Sequence, residues 1–206
     1  LYPKLPFDTL NYLSGVTQLV LANLVLAANP SLPVNTIPEL IALAKSKPGT
    51  LKLASPGSGT LAHRAGEMLK AAAGIDMIHV PYKGTSPAQV DLLGGRVDMI
   101  FDVLPTEFPL IRSGKLKAIA VAGSRPDPLL PNIPTIADTL PGFYADTMFG
   151  IVTAVATPRD LVRKLYVGFT TVLGTPEMRD KIAGLGLQAV GSTPEEFNSY
   201  IRAEIK

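Results

Sequence analysis

Six residues of this 206-residue chain carry the clearest chemical potential: Ser55-Pro56-Gly57-Ser58-Gly59-Thr60. They follow a short apolar strand pattern, Leu51 to Ala54, and precede a helical pattern from about Leu61 to Ala73. A strand that breaks through glycines into a helix gathers several unpaired backbone N–H groups at the partly positive end of the helix dipole. Such a turn is a ready anion site. Ser55, Ser58 and Thr60 can each cap the helix or turn a hydroxyl toward the anion. Gly57 and Gly59 permit positive φ and remove side chains that would block approach. The chemistry expected is a non-covalent grip on a small carboxylate. The competing reading is an ordinary, well-capped strand-to-helix connection of an α/β protein.

Other polar residues fall near the same place in the pattern. His63 lies on the first turn of the following helix. It either faces a ligand or braces the turn by hydrogen bonding. His79, inside an apolar strand, reads as a satisfied structural histidine. Tyr82 and Lys83 sit in the turn Pro81 to Gly84 and are near enough to reach a crevice, although a turn lysine is ordinarily just solvated. Asp102 closes a strand pattern, Val97 to Asp102. It either accepts a hydrogen bond from a ligand or holds the Ser/Gly loop. Beside a bound carboxylate it repels, unless a water bridges them or the ligand bears a donor there. Phe149 either lines the cleft or belongs to the core of its strand.

Composition narrows the function classes. Nearly half the residues are apolar and 17% are charged, which argues against global disorder. A net charge of +2, with few aromatics and no Trp, argues against nucleic acid as a partner. The absence of Cys removes thiolate catalysis and Cys-based metal sites, and two histidines are too few for a His-rich metal centre. No cofactor is expected. The most apolar run, Leu19 to Ala28, is broken by Asn23 and is too short to cross a bilayer. The chain starts Leu-Tyr-Pro-Lys, without Met or a leader, and reads as a processed or truncated product.

The elements that must position these residues alternate. Residues 1–8 read as an extended lead-in. Val16 to Ala28 reads as one or two buried strands. Thr36 caps a helix that Pro48-Gly49 stops. After the opening strand–turn–helix, which Gly74 ends, come a strand at Met77 to Val80 and a helix from Ser86-Pro87 to Leu93. The strand ending at Asp102 follows, then a helix at Thr106 to Arg112 and a strand at Leu116 to Ala122. This alternation signals an α/β sheet, in which ligands sit beyond the carboxyl ends of strands. Three polar turns lie there, Ser55 to Thr60, Tyr82 to Thr85, and Asp102, and they can converge on one crevice. Pro126 to Pro141 holds five prolines and reads as a long surface connection. A strand at Phe149 to Ala156 follows, with helices at Asp160 to Leu173 and Pro176 to Leu185. A short strand at Gln188 to Val190 precedes a final helix begun by Ser192-Thr193-Pro194.

The succession of phrases resembles the tripartite tricarboxylate transporter receptors, the Bug-type solute-binding proteins. The phrases include Leu-Tyr-Pro-Lys-Leu-Pro-Phe-Asp (1–8), Ser-Pro-Gly-Ser-Gly-Thr-Leu-Ala-His (55–63), His-Val-Pro-Tyr-Lys-Gly (79–84), Asp-Leu-Leu-Gly-Gly-Arg-Val-Asp-Met-Ile-Phe-Asp (91–102) and Val-Gly-Ser-Thr-Pro-Glu-Glu-Phe (190–197). Each alone is weak, but the ordered set spans nearly the whole chain. The resemblance implies a type II periplasmic-binding-protein fold, with two α/β lobes joined by two crossing strands. Residues 1–24 and 146–206 would form a partial first lobe, and 25–145 the second. It implies a periplasmic receptor, not an enzyme, that binds a small carboxylate and docks on a membrane permease. Ser55, Gly57, Ser58, Gly59, Thr60, His63, Tyr82, Asp102 and Phe149 are then the candidate ligand residues.

Two departures stand out. An N-terminal portion of the family, on the order of 75 residues by the family pattern, is missing. That segment, or another chain, would complete the first lobe. The family often has Trp-Phe-Gly where this chain has Met148-Phe149-Gly150, which replaces an aromatic wall with a flexible thioether. Two alternatives from other classes stay open. One is a phosphate- or carboxylate-handling α/β enzyme. It lacks here a Gly-x-Ser-x-Gly elbow, a Walker loop and the third glycine of a dinucleotide turn. The other is the effector-binding domain of a regulator, for which no helix-turn-helix appears.

Overall fold

The computed structural model describes residues 8–205. The lead-in expected at 1–8 lies outside the described residues up to residue 7. Asp8 accepts the Leu10 and Asn11 N–H groups and caps a short helix α1 (Thr9–Tyr12), which the pattern did not reveal. The apolar run after it is one 16-residue strand, β1 (Leu13–Ala28). The described chain divides into two compact units. One holds the residues up to Leu21 and those from Met148 onward, and the other is Ala22–Thr147.

The Ala22–Thr147 unit takes the second half of β1. It adds α2 (Ile37–Ser46), β2 (Lys52–Ser55), α3 (Leu61–Ala73), β3 (Ile78–Pro81), α4 (Thr85–Leu93), β4 (Met99–Val103), α5 (Leu104–Arg112) and β5 (Lys117–Val121). The strand order is β3-β2-β4-β1-β5. β2 runs parallel to β3 and β4, while β1 is antiparallel to β4 and β5. Because side chains alternate along a strand, the sheet has two apolar faces. Leu24, Leu26, Leu53, Met99 and Phe101 pack with Ile37 and Leu40 of α2 and with Ala65 and Leu69 of α3. Ala27, Ala54 and Ile100 pack with Ala88 and Leu92 of α4. Helices thus cover both faces, as expected of buried parallel strands with continuous apolar runs. The caps follow the sequence. Thr36 accepts the Glu39 N–H, and Gly74 takes the left-handed conformation (φ 61°) that ends α3.

Several boundaries differ from expectation. β4 is Met99–Val103, so Asp102 lies inside the strand and not at its end. α5 starts at Leu104, because Pro105 is a good residue for a first helical turn. α4 starts at Thr85, behind Gly84 at φ 118°. The segment 126–141 is not wholly a surface connection. Asp127, Thr135 and Ile136 are buried, Val121 bridges Thr135, and Ile136–Asp138 forms a 3-10 turn with a Thr135/Asp138 capping box. Proline density had hidden that reciprocal cap.

The other unit takes the first half of β1. It adds β6 (Asp146–Ala154, whose first residues belong to the larger unit), α6 (Arg159–Leu173), α7 (Pro176–Gly184), β7 (Leu187–Ala189) and α8 (Pro194–Ile205). β6 and β7 both pair with β1. Thr193 and Glu196 form a reciprocal capping box at the start of α8. Phe197 on α8 is 1% exposed and fits over two glycines. A Cβ at Gly15 would lie 2.6 Å from its ring, and one at Gly150 2.4 Å from it and 3.1 Å from the Thr17 carbonyl. α6 buries none of its residues, and Leu161, Val167, Phe169 and Val172 stay exposed on it. No helix of the described residues is long and apolar enough to cross a membrane.

The glycine fit generates a test. Gly150→Val forces overpacking against Phe197 and rigid backbone, which costs about 1–3 kcal/mol. Urea unfolding followed by circular dichroism should show that loss, and an unchanged midpoint would contradict the packing.

Candidate functional site

The Ser55–Thr60 turn joins β2 to α3, and α3 lies close on the strand. A Cβ at Gly66 would come 2.7 Å from Leu53 Cδ2, so glycine there lets the helix approach the sheet. Within the turn, two of the three hydroxyls are committed inward. Ser55 is 1% exposed, and its Oγ lies 2.7 Å from His79 Nε2, with Gly57 N–H and Gly57 O also in reach. Thr60 donates to the Gly57 carbonyl at 2.8 Å and accepts the His63 N–H, a side-chain cap on α3. Gly59 takes φ 84°, where a side chain is disfavoured, whereas Gly57 does not use positive φ. Its value is closeness, since a Cβ there would meet the Tyr82 carbonyl at 3.4 Å. What is left pointing outward is Ser58. Among the described residues, nothing bonds its hydroxyl, or the N–H groups of Ser58, Leu61 and Ala62. These donors sit at the positive end of a 13-residue helix.

Both histidines support this turn. His63 Nδ1 accepts the Gly59 N–H at 3.0 Å, so the bracing alternative describes its hydrogen bonding. His79 holds Ser55 from β3. The two rings stack with centroids 3.9 Å apart and planes 9° from parallel. Burial pushes the His79 imidazole below its ordinary range, and the neighbouring His63 adds to this. The pair itself was not foreseen. Strand register places residue 79 beside Leu53 of β2, and the helix returns residue 63 over it.

Hydrogen bonds chain the three polar turns together. Tyr82 N–H donates to the Ser55 carbonyl at 3.0 Å and Gly84 N–H to Pro56 at 2.8 Å. Thr85, the first residue of α4, donates its hydroxyl to Asp102 at 2.5 Å, and Asp102 also accepts its neighbour Val103 N–H. Burial raises the Asp102 carboxyl, and those two bonds oppose the rise. The structure turns the Tyr82 hydroxyl away from the Ser/Gly turn. It donates to Asp91 at 2.7 Å, and Arg96 pairs with the same carboxylate. Burial first, then Asp91, push that phenol up to about 12. Phe149 belongs to the other unit and is 49% exposed on β6.

Sequence reasoning missed Glu107. It is fully buried on α5, accepts Gln89 Nε2 at 2.9 Å through Oε1, and has no partner for Oε2 among the described residues. Burial raises its carboxyl to about 7, Asp102 adds to the rise, and Gln89 opposes it. A signal was present. Residues 104, 107 and 111 share one helix face, and Glu107 takes an apolar position on it. Gly123 leaves room for Asn23 and Asp146, since a Cβ there would meet both side chains. Asn23 donates to Asp127 at 2.6 Å, and Asp146 has a buried Oδ1 without a partner among the described residues and a carboxyl raised by burial.

A helix-covered α/β sheet with an anion-ready turn at the carboxyl end of β2, sharing β1 and β6 with a further α/β unit, is the fold of periplasmic solute-binding proteins. The profile of the tripartite tricarboxylate transporter family receptor, TctC, matches residues 1–206, and the chain belongs to that family. The family is one of transport receptors and not of enzymes. The UPF0065 protein of the tcbD-tcbE intergenic region of Pseudomonas sp. strain P51 is 32% identical over 205 residues. That match covers 98% of this chain and 61% of the relative, so the chain spans about three fifths of the length of that curated relative. Rpa4515 of R. palustris, solved with adipate, superposes with a TM-score of 0.94 at 29% identity, covering 100% of this chain and 69% of that one. MatC of Rhodopseudomonas palustris, solved with bound malate, gives 0.89 at 28%, covering 100% and 71%.

The buried Glu107 fixes a pH dependence. Its folded-state value lies above the ordinary 4.5, so the stability it contributes is complete below pH 4.5 and is lost as pH rises through about 7. The loss approaches about 3 kcal/mol at full ionisation. Glu107→Gln should flatten the fall in Tm between pH 5 and pH 8. An identical fall in both proteins would contradict the burial argument.

Proposed function

We propose that the chain is the ligand-holding part of a periplasmic receptor that binds a small organic carboxylate without transforming it and presents it to a tripartite tricarboxylate transporter permease. The observation that carries this reading is the Ser55–Thr60 turn, whose outward donors are left unsatisfied while its inward groups are all engaged. Carboxylate oxygens suit such donors, because charge-assisted bonds to backbone N–H and hydroxyl groups are the stronger kind. Adipate and malate, the small molecules with which Rpa4515 and MatC were solved, belong to one chemical class, the dicarboxylates. In this reading Ser58 and the N–H groups of Leu61 and Ala62 meet the ligand, and Gly57 and Gly59 let it approach without a side chain in the way. Ser55, Thr60 and His63 hold the turn. Tyr82 and Asp102 act from behind it, through the Tyr82 backbone and the Thr85 hydroxyl.

Calorimetric titration with mono-, di- and tricarboxylates tests the proposal. At least one acid should bind and be recovered unchanged. Ser58→Ala should weaken it by roughly 10- to 100-fold, the equivalent of one charge-assisted hydrogen bond of about 1.5–3 kcal/mol. Failure of every acid to bind, or turnover of the bound acid, would contradict the reading. An unchanged affinity in Ser58→Ala would remove that residue from it.

A further inference from the structure

The stacked histidines do more than support the turn. His63 holds the Gly59 N–H through a bare ring nitrogen, Nδ1. Neutral His63 therefore carries its proton on Nε2, which lies 3.8 Å from Glu67 Oε1. A proton arriving at Nδ1 turns this acceptor into a donor. The Gly59 bond then breaks, and two N–H groups, one of them cationic, point at the same position. The second ring lies 3.9 Å away in near-parallel stacking, so a first proton on the pair strongly opposes another. His79 is the poorer host for that proton, because burial already disfavours its charged form.

Several charged and polar groups face the pair. From α3 these are Glu67 and Lys70, and Lys70 Nζ sits 3.0 Å from both Glu67 oxygens. Glu67 favours the charged form of His79 and Lys70 opposes it. From β2 the facing group is the neutral Ser55 hydroxyl, bonded to His79.

We propose that the His63–His79 stack is a one-proton device in the anion site: proton uptake at His63 frees the Gly59 N–H, and the two donors then converge on an incoming carboxylate oxygen. This rests on the carboxylate reading above and adds its regulation. Carboxylate binding and proton binding are then linked, each strengthening the other by the same factor.

Two measurements test it. In the ligand-free protein, the Gly59 amide NMR signal should shift with pH in step with the His63 ring, and should stop doing so in His63→Gln. In calorimetry with adipate as the probe, affinity should rise about 3- to 10-fold from pH 7.5 to pH 6.0, with net proton uptake measured from buffers of different ionisation enthalpy. His63→Gln should make the affinity flat across that range. Adipate affinity that is the same at both pH values, without proton uptake, overturns the device and leaves the carboxylate reading standing. A Gly59 amide indifferent to His63 titration likewise overturns the device alone. No binding by any carboxylate of the panel at either pH overturns both.

Discussion

Backbone donors at the start of α3 have to be held in place without being satisfied. Most turns settle such groups with caps or internal bonds. Here the cap is supplied by Thr60, which takes one donor, His63 N–H, and spends its own proton on Gly57. Ser55 is drawn inside by His79, and Gly59 is drawn back by His63. The turn is thus fixed from within, while Ser58 stays exposed and the N–H groups of Leu61 and Ala62 have no partner among the described residues. Rigid placement of unsatisfied donors means that a ligand bears little of the ordering cost when it binds. The rest of the Ala22–Thr147 unit serves that placement. β2 aims the turn, Gly66 lets α3 approach the sheet, and the backbone of the Tyr82–Thr85 turn ties back to Ser55 and Pro56.

Behind the turn the unit tolerates buried carboxyl groups that a minimal scaffold would avoid. Asp102 is satisfied by Thr85 and Val103, so it sets the start of α4 next to the Ser/Gly turn. Among the described residues Glu107 is half satisfied, by Gln89. An unpartnered buried oxygen is costly unless the group is neutral, which is why burial raises this carboxyl toward 7. α4 and α5 are therefore joined by a polar contact whose strength depends on pH.

Much of this was legible in the residues. Thr36, Thr60, Gly74 and the Thr193-Pro194 start are caps whose chemistry is local, and the helices they bound match the pattern within a residue or two. The order of strands and helices, and the family, were legible for the same reason: short motifs in sequence order. Tertiary register was not. The His63–His79 stack depends on a strand and a helix meeting, and no spacing rule brings 63 to 79. Hydroxyl roles were also hidden. Ser55, Ser58 and Thr60 look equivalent in sequence, yet Ser55 alternates into the sheet while Ser58 stays on the tip. Glu107 was passed over because a single acid in a short amphipathic helix ordinarily faces water.

The central claim is that the outward donors of one turn make the carboxylate contact. The most direct measurement is the set of amide NMR shifts on titrating the protein with adipate. The account predicts that the largest changes fall on Ser58, Leu61 and Ala62. Saturable adipate binding that leaves these three amides unmoved, with its largest changes elsewhere, would contradict it.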